Sequence, residues 1–167
     1  MGAPDKLWAP WRSPYITGTL RRRHRCIFCA AKTSRDDASA QVVYRGRRVF
    51  SLLNRYPYNN GHLMVACYRH VGTLTRLQPA EASELWQVTA RMVDLLSDIL
   101  HPDGFNLGLN LGRVAGAGIP GHLHFHIVPR WNGDTNFMTT VSATKVISES
   151  LEALYHRLKP RATRRLR

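Results

Sequence analysis

Residues 122–128 read His122-Leu123-His124-Phe125-His126-Ile127-Val128, and this alternation constrains the chain more than any other stretch. Side chains of a β-strand point to opposite faces in turn, so the pattern predicts three imidazoles on one face and Leu123, Phe125 and Ile127 on the other. Neighbouring histidines on such a face stand about 6.5–7 Å apart, enough to surround one small anionic group. The apolar face anchors the strand in a core. Upstream, Gly112, Gly116, Gly118 and Gly121 form a run in which the backbone can approach a ligand and offer its N–H groups. Pro129 is expected to end the strand. On the residues alone, two other readings stay open: a strand with a polar face, or three histidines on one metal.

The remainder of the chain supplies a body for that strand. At 167 residues and 44% hydrophobic composition, one domain with a real core is expected. Neither a signal-peptide core nor an apolar run of membrane-spanning length is present, and three cysteines do not make a disulfide framework. A cytoplasmic protein is expected. Basic residues outnumber acidic ones 24 to 11, for a net charge of +13. Many of the arginines lie in two clusters, at Arg21, Arg22, Arg23 and Arg25 and at Arg161, Arg164, Arg165 and Arg167. Such ends attract nucleic acid without sequence preference, or merely keep the surface solvated.

Pro4, Pro10 and Pro14 disfavour a helix in residues 1–20, which read as an extended arm packed through Trp8, Trp11 and Tyr15 onto the body or a partner subunit. Residues 30–40 are small and polar and read as a loop, with a short helical turn before it left open. Gln41–Tyr44 and Arg47–Leu53 read as a hairpin, His62–Cys67 and Phe105–Leu111 as further strands. Cys67 sits in an apolar run and reads as a buried hydrophobe. The clearest helix starts at Pro79 and ends at His101-Pro102, with Leu85, Val88, Met92, Leu95, Leu96 and Ile99 as its apolar stripe. A second, short helix is expected over 148–158, followed by a basic, disordered tail from 160 to 167. Helices segregated from hairpin-linked strands define an α+β class with an antiparallel sheet.

Cys26-Ile27-Phe28-Cys29 is a CxxC pair. Redox activity and zinc binding both use this spacing, but a thioredoxin-like redox site calls for a βαβ setting that is missing here.

His-φ-His-φ-His-φ-φ, with φ apolar, resembles the signature of the histidine triad (HIT) family of nucleotidyl hydrolases and transferases. The flanking segments LNRYPYNNGHLMV, 53–65, and PRWNGDTNFM, 129–138, are similar to the branch containing diadenosine tetraphosphate phosphorylases and related bacterial hydrolases. The resemblance spans about residues 7–158. It implies a HIT domain over 21–159, a sheet of about five strands with one long and one short helix, and a homodimer in which two sheets join. It implies cleavage of dinucleoside polyphosphates through a nucleotide carried covalently on the middle histidine, His124. By the same resemblance His126 donates to phosphate or assists the leaving group, and His62 supports the triad. Asn54 is placed on the ribose hydroxyls, Leu52 and Leu53 on the base pocket wall, and Asn110 with the Gly118 and Ile119 backbone on the phosphates. Zinc-containing members resemble this chain at Cys26, Cys29, His70 and His122, a closed and hence structural site; no organic cofactor is implied.

Where many members carry a hydroxyl residue after Gly-Gln, this chain has Gly118-Ile119-Pro120, so phosphate and water stay open as acceptors. Two alternatives stand beside the polyphosphate reading: hydrolysis of nucleoside phosphoramidates, and a nucleotide- or nucleic-acid-binding protein without turnover.

Overall fold

The computed structural model describes residues 26–135 and 146–165. The arm at 1–20, the arginines at 21–25 and 167 and the segment around Met138 lie outside the described residues. Five strands make one antiparallel sheet: β1 Val42–Arg45, β2 Val49–Leu53, β3 Leu63–Cys67, β4 Gly104–Leu109 and β5 His124–Arg130, in the order β1-β2-β3-β5-β4. Among the described residues three α-helices accompany it: α1 Ile27–Thr33, α2 Pro79–Leu100 and α3 Leu151–Arg165. This is the expected α+β class. No helix among the described residues is long and apolar enough to cross a membrane.

Register sorts the two faces of the sheet. Directly paired residues of an antiparallel sheet share a face. Leu53, Leu63 and Ile127 form one row, as do Ser51, Val65 and Phe125. Against this face pack Leu85, Val88, Met92, Leu95, Leu96 and Ile99 of α2 and Leu154 and Leu158 of α3, forming the main core. The other face carries the rows Leu52–Met64–His126 and Phe50–Ala66–His124. There Phe28 and Ala31 of α1 close a smaller apolar cluster with Leu52, Met64 and Ala66, against which Ile119 packs. Helix α2 begins where Glu81 folds back to accept the Gln78 N–H at 2.9 Å, and ends where His101 turns left-handed at φ 47°.

Several expectations change. A third helix, α1, arises in the CxxC segment, where seven residues offered too little periodicity to read. Strand β5 starts at His124, so only two of the three histidines belong to it; His122 lies in the preceding turn. The strand also runs past Pro129 to Arg130. Its ladder with β3 stops at Ile127, so the missing N–H falls where β5 has lost that neighbour.

The expected disordered tail is helix as far as Arg165, with Pro160 inside it. Lys159 is tied to Asp37 and to the Val42 carbonyl, and Leu158 and Ala162 are fully buried. Burying Leu154 and Leu158 contributes about 1.5–3 kcal/mol each, enough together to offset the roughly 3 kcal/mol cost of one helical proline.

Candidate active site

His124 and His126 project from adjacent same-face positions of β5, with ring centroids 4.8 Å apart. Both are more than nine-tenths buried. Gly108 pairs with His126 on β4, and space beside it is open, so no side chain of that strand screens the imidazole.

The hydrogen bonds assign a tautomer to each ring. A backbone carbonyl only accepts, and the His122 carbonyl lies 2.7 Å from His124 Nδ1. The proton of neutral His124 therefore sits on Nδ1, and Nε2 keeps its lone pair. On the other side, the Tyr58 N–H donates to His62 Nδ1 at 3.0 Å, with Asn54 Nδ2 at 3.4 Å from the same nitrogen. His62 Nε2 must then carry hydrogen, which it donates to His126 Nδ1 at 2.9 Å. That leaves the proton of neutral His126 on Nε2. One ring thus presents a nucleophilic nitrogen and its neighbour presents a donor.

Burial, with His126 and His124 nearby, pulls the pKa of His62 down to about 3. Burial lowers that of His124 as well, against the opposing pull of the His122 carbonyl. His62 stays neutral through the range where an exposed histidine would begin to charge, and His124 takes up its proton at lower pH than an exposed histidine does. The unfolded chain binds a proton at His62 near pH 6.5 while the folded chain does not, so the contribution of His62 to stability is complete above pH 6.5 and is lost as pH falls toward 3. Urea unfolding midpoints should decline steadily below pH 6.5, and His62→Gln should show a shallower decline than the wild type.

The predicted metal ligands come together. Cys26, Cys29, His70 and His122 offer four ligand atoms all within 4.8 Å of one another. Cys26 Sγ is 3.2 Å from His122 Nδ1, and Cys29 Sγ is 3.3 Å from His70 Nδ1. His122 Nε2 donates to the Cys67 carbonyl at 2.8 Å, which directs its Nδ1 lone pair at the cysteines. The Leu123 N–H bonds the Val71 carbonyl at 2.6 Å, and Gly72 lies so near Pro120 that an added Cβ would meet its carbonyl oxygen at 2.9 Å. These contacts bring His70 to His122. Burial pushes the Cys26 thiol up, the reverse of what a reactive redox cysteine needs. Two thiols and two imidazoles whose ligand atoms converge within 4.8 Å of one another fit zinc.

The remaining expected residues divide. Leu52 shares the histidine face, and Ile119 packs against the cluster there. Leu53 does not: it lies in the core under α2, because neighbouring strand residues face opposite ways. Asn54 Oδ1 accepts the Tyr56 N–H at 3.0 Å while its amide faces His62. Asn110 stands one residue beyond the Leu109–Phe125 pair at the end of β4, half-buried, and Gly118 is exposed in the loop before β5. Two aromatics escaped the sequence reading. Phe28 lies against His122 and His124, with centroids at 4.9 and 4.6 Å, and Tyr58 packs on His62 at 4.6 Å. Their only signal was position, inside CxxC and inside YPYNNGH. Two open clefts of about 360 and 430 Å³ lie elsewhere, and neither is lined by a triad histidine.

The chain is thus an α+β domain that displays tautomer-assigned histidines on one sheet face. Residues 35–133 match the HIT domain family, and the chain belongs to it. It is 40% identical over 153 residues to an AP-4-A phosphorylase of Mycobacterium tuberculosis, covering 88% of this chain and 78% of that one. It is 30% identical over 101 residues to an asymmetrical bis(5'-nucleosyl)-tetraphosphatase of Schizosaccharomyces pombe, covering 60% and 55%. Both names are those of enzymes. Among solved structures, a histidine triad nucleotide-binding protein from Sulfolobus tokodaii superimposes with a TM-score of 0.66 at 25% identity, covering 83% of this chain and 93% of that one. A zinc-bound histidine triad family protein from Mycobacterium smegmatis shares the fold, with a TM-score of 0.64 at 24% identity over 88% and 96%.

Proposed function

We propose that this HIT protein cleaves dinucleoside polyphosphates of the diadenosine tetraphosphate kind by transferring a nucleotidyl group through His124. The observation that carries this reading is the 2.7 Å bond from His124 Nδ1 to the His122 carbonyl, which leaves Nε2 free to attack. A neutral imidazole approaches a negatively charged α-phosphate without adding charge of its own. Attack forms the N–P bond and breaks the P–O bond to the leaving polyphosphate, while the Nε2–H of His126 hydrogen-bonds the departing oxygen. An acceptor oxygen then takes the nucleotide and restores His124. The names of the two enzyme relatives support the substrate class.

Asn54 is assigned to the ribose, Leu52 to the apolar wall, and Asn110 with the Gly118 and Ile119 backbone to the phosphates. Cys26, Cys29, His70 and His122 would hold a structural zinc, tying α1 to the turn before β5 and supplying no chemistry to the reaction. A homodimer is proposed on β4, an edge strand with Leu107 exposed, Leu111 just beyond it and Trp86 nearby on α2. Light scattering should give twice the chain mass and Leu107→Asp a single one; a monomeric wild type would refute the dimer.

Asymmetric cleavage of diadenosine tetraphosphate is expected, releasing ATP. The acceptor is assigned to phosphate, because the closer relative is a phosphorylase by name and the chain is strongly basic. With isotopically labelled phosphate, label should appear in ADP. AMP alone at saturating phosphate would mean hydrolysis, and cleavage of adenosine 5′-phosphoramidate without any polyphosphate turnover would overturn the substrate class.

A further inference from the structure

The tautomer of His126 depends on His62, and His62 depends on the loop that presents the Tyr58 N–H. What holds that loop to β5 is a clasp outside the triad. The Asp134 side chain, 7% exposed, accepts from Arg130 Nε at 2.6 Å and Nη2 at 2.9 Å and from the Trp131 N–H at 3.2 Å. It also accepts from Asn59 Nδ2 at 2.8 Å. The same amide group donates to the Pro129 carbonyl at 3.0 Å, and the Asn59 carbonyl accepts the His62 N–H at 3.2 Å. Arg130 Nη1 reaches on to Asn106 of β4 at 2.7 Å.

We propose that Asp134 is a positioning residue which, through Asn59, fixes the 58–62 loop against β5 and so keeps the His126 proton on Nε2. The alignment is direct. Asn59 is the buried hinge between the β5 terminus and the loop, and His62 and His126 are the next pair linked across the same two segments. A buried carboxylate with several donors resists displacement, because any shift strands a charge or an amide without its partner. Loosening the clasp lets His62 drift from the 2.9 Å contact, and His126 then samples the tautomer with its proton on Nδ1. In that tautomer it cannot donate to a leaving oxygen.

This inference rests on His126 serving the leaving group, and the test separates the two claims. Asp134→Asn and Asn59→Ala are compared with the wild type on aryl esters of AMP whose leaving phenols range from acidic to weakly acidic. Where the donor is mispositioned, kcat should fall at least about tenfold more for the phenyl ester than for the 2,4-dinitrophenyl ester, with KM little changed. Equal losses across the series would show a merely structural role and overturn the proposal. Nitrogen-15 spectra of the histidine side chains provide a readout independent of turnover. His126 should carry hydrogen on Nε2 in the wild type and become a tautomer mixture in both variants, while His124 stays protonated on Nδ1. An unchanged His126 tautomer overturns the proposal. If the wild type cleaves none of the esters, the functional reading fails, yet the spectra still decide the clasp. Should Asp134→Asn not fold, Asn59→Ala, which keeps the Arg130–Asp134 pair, carries both measurements.

Discussion

Replacing His124 by alanine is expected to lower kcat on diadenosine tetraphosphate by on the order of 10⁴-fold or more, the scale seen when a covalent nucleophile is removed. The fold should survive. His124 lies on the smaller apolar face against Phe28 and Ala66, not in the core beneath α2, so the substitution leaves a modest gap there. Nucleotide affinity should fall far less than turnover, because the ribose, base and phosphate contacts assigned to other residues stay in place. His126→Ala removes a donor and leaves the nucleophile. Its loss should be smaller, about 10²–10⁴-fold, and should grow as the leaving group becomes more basic. A His124→Ala protein with near-normal kcat would remove the nucleophile from the account.

Removal of metal is expected to have the largest effect on stability. The protein as purified should contain one zinc per chain bound by the four clustered ligands. Loss of a tie between α1 and the turn before β5 should lower the melting temperature by roughly 10 °C or more, at about 2–4 °C per kcal/mol for a chain of this size. Cys29→Ser should reproduce the shift. Its effect on kcat should be much smaller than that of His124→Ala, since the metal ligands contribute to the reaction only through the His122 carbonyl that orients His124. Metal-free protein with unchanged stability would remove zinc from the structure.

How far these features were legible in the sequence depended on whether their cause was local. The triad pattern, the α2 stripe and the hairpin strands announce themselves by period, and they form with ends shifted by a few residues. The four metal ligands are scattered over 96 positions, from Cys26 to His122; family resemblance, not spacing, grouped them. Leu52 and Leu53 show the opposite case. A one-residue step flips a side chain through the sheet, and only the pairing with Met64 and Leu63 says which leucine meets the histidines. Pro160 reads as a breaker because propensity is local, whereas the burial of Leu158 and Ala162 that overrides it is tertiary. Asp134 and Asn59 lie in the two flanking segments that carry the resemblance, but no local pattern links them, because their meaning is a contact across 75 residues.

The central claim is a nucleotide bound covalently to His124, and it can be caught directly. The protein is mixed with diadenosine tetraphosphate, quenched within the first turnover without strong acid, digested and examined by mass spectrometry. An adenylyl group is expected on the peptide containing residues 122–128, placed on His124 by its fragment ions, and it should disappear when phosphate is added before the quench. Turnover without any such adduct, together with inversion of configuration at the α-phosphorus, would contradict it.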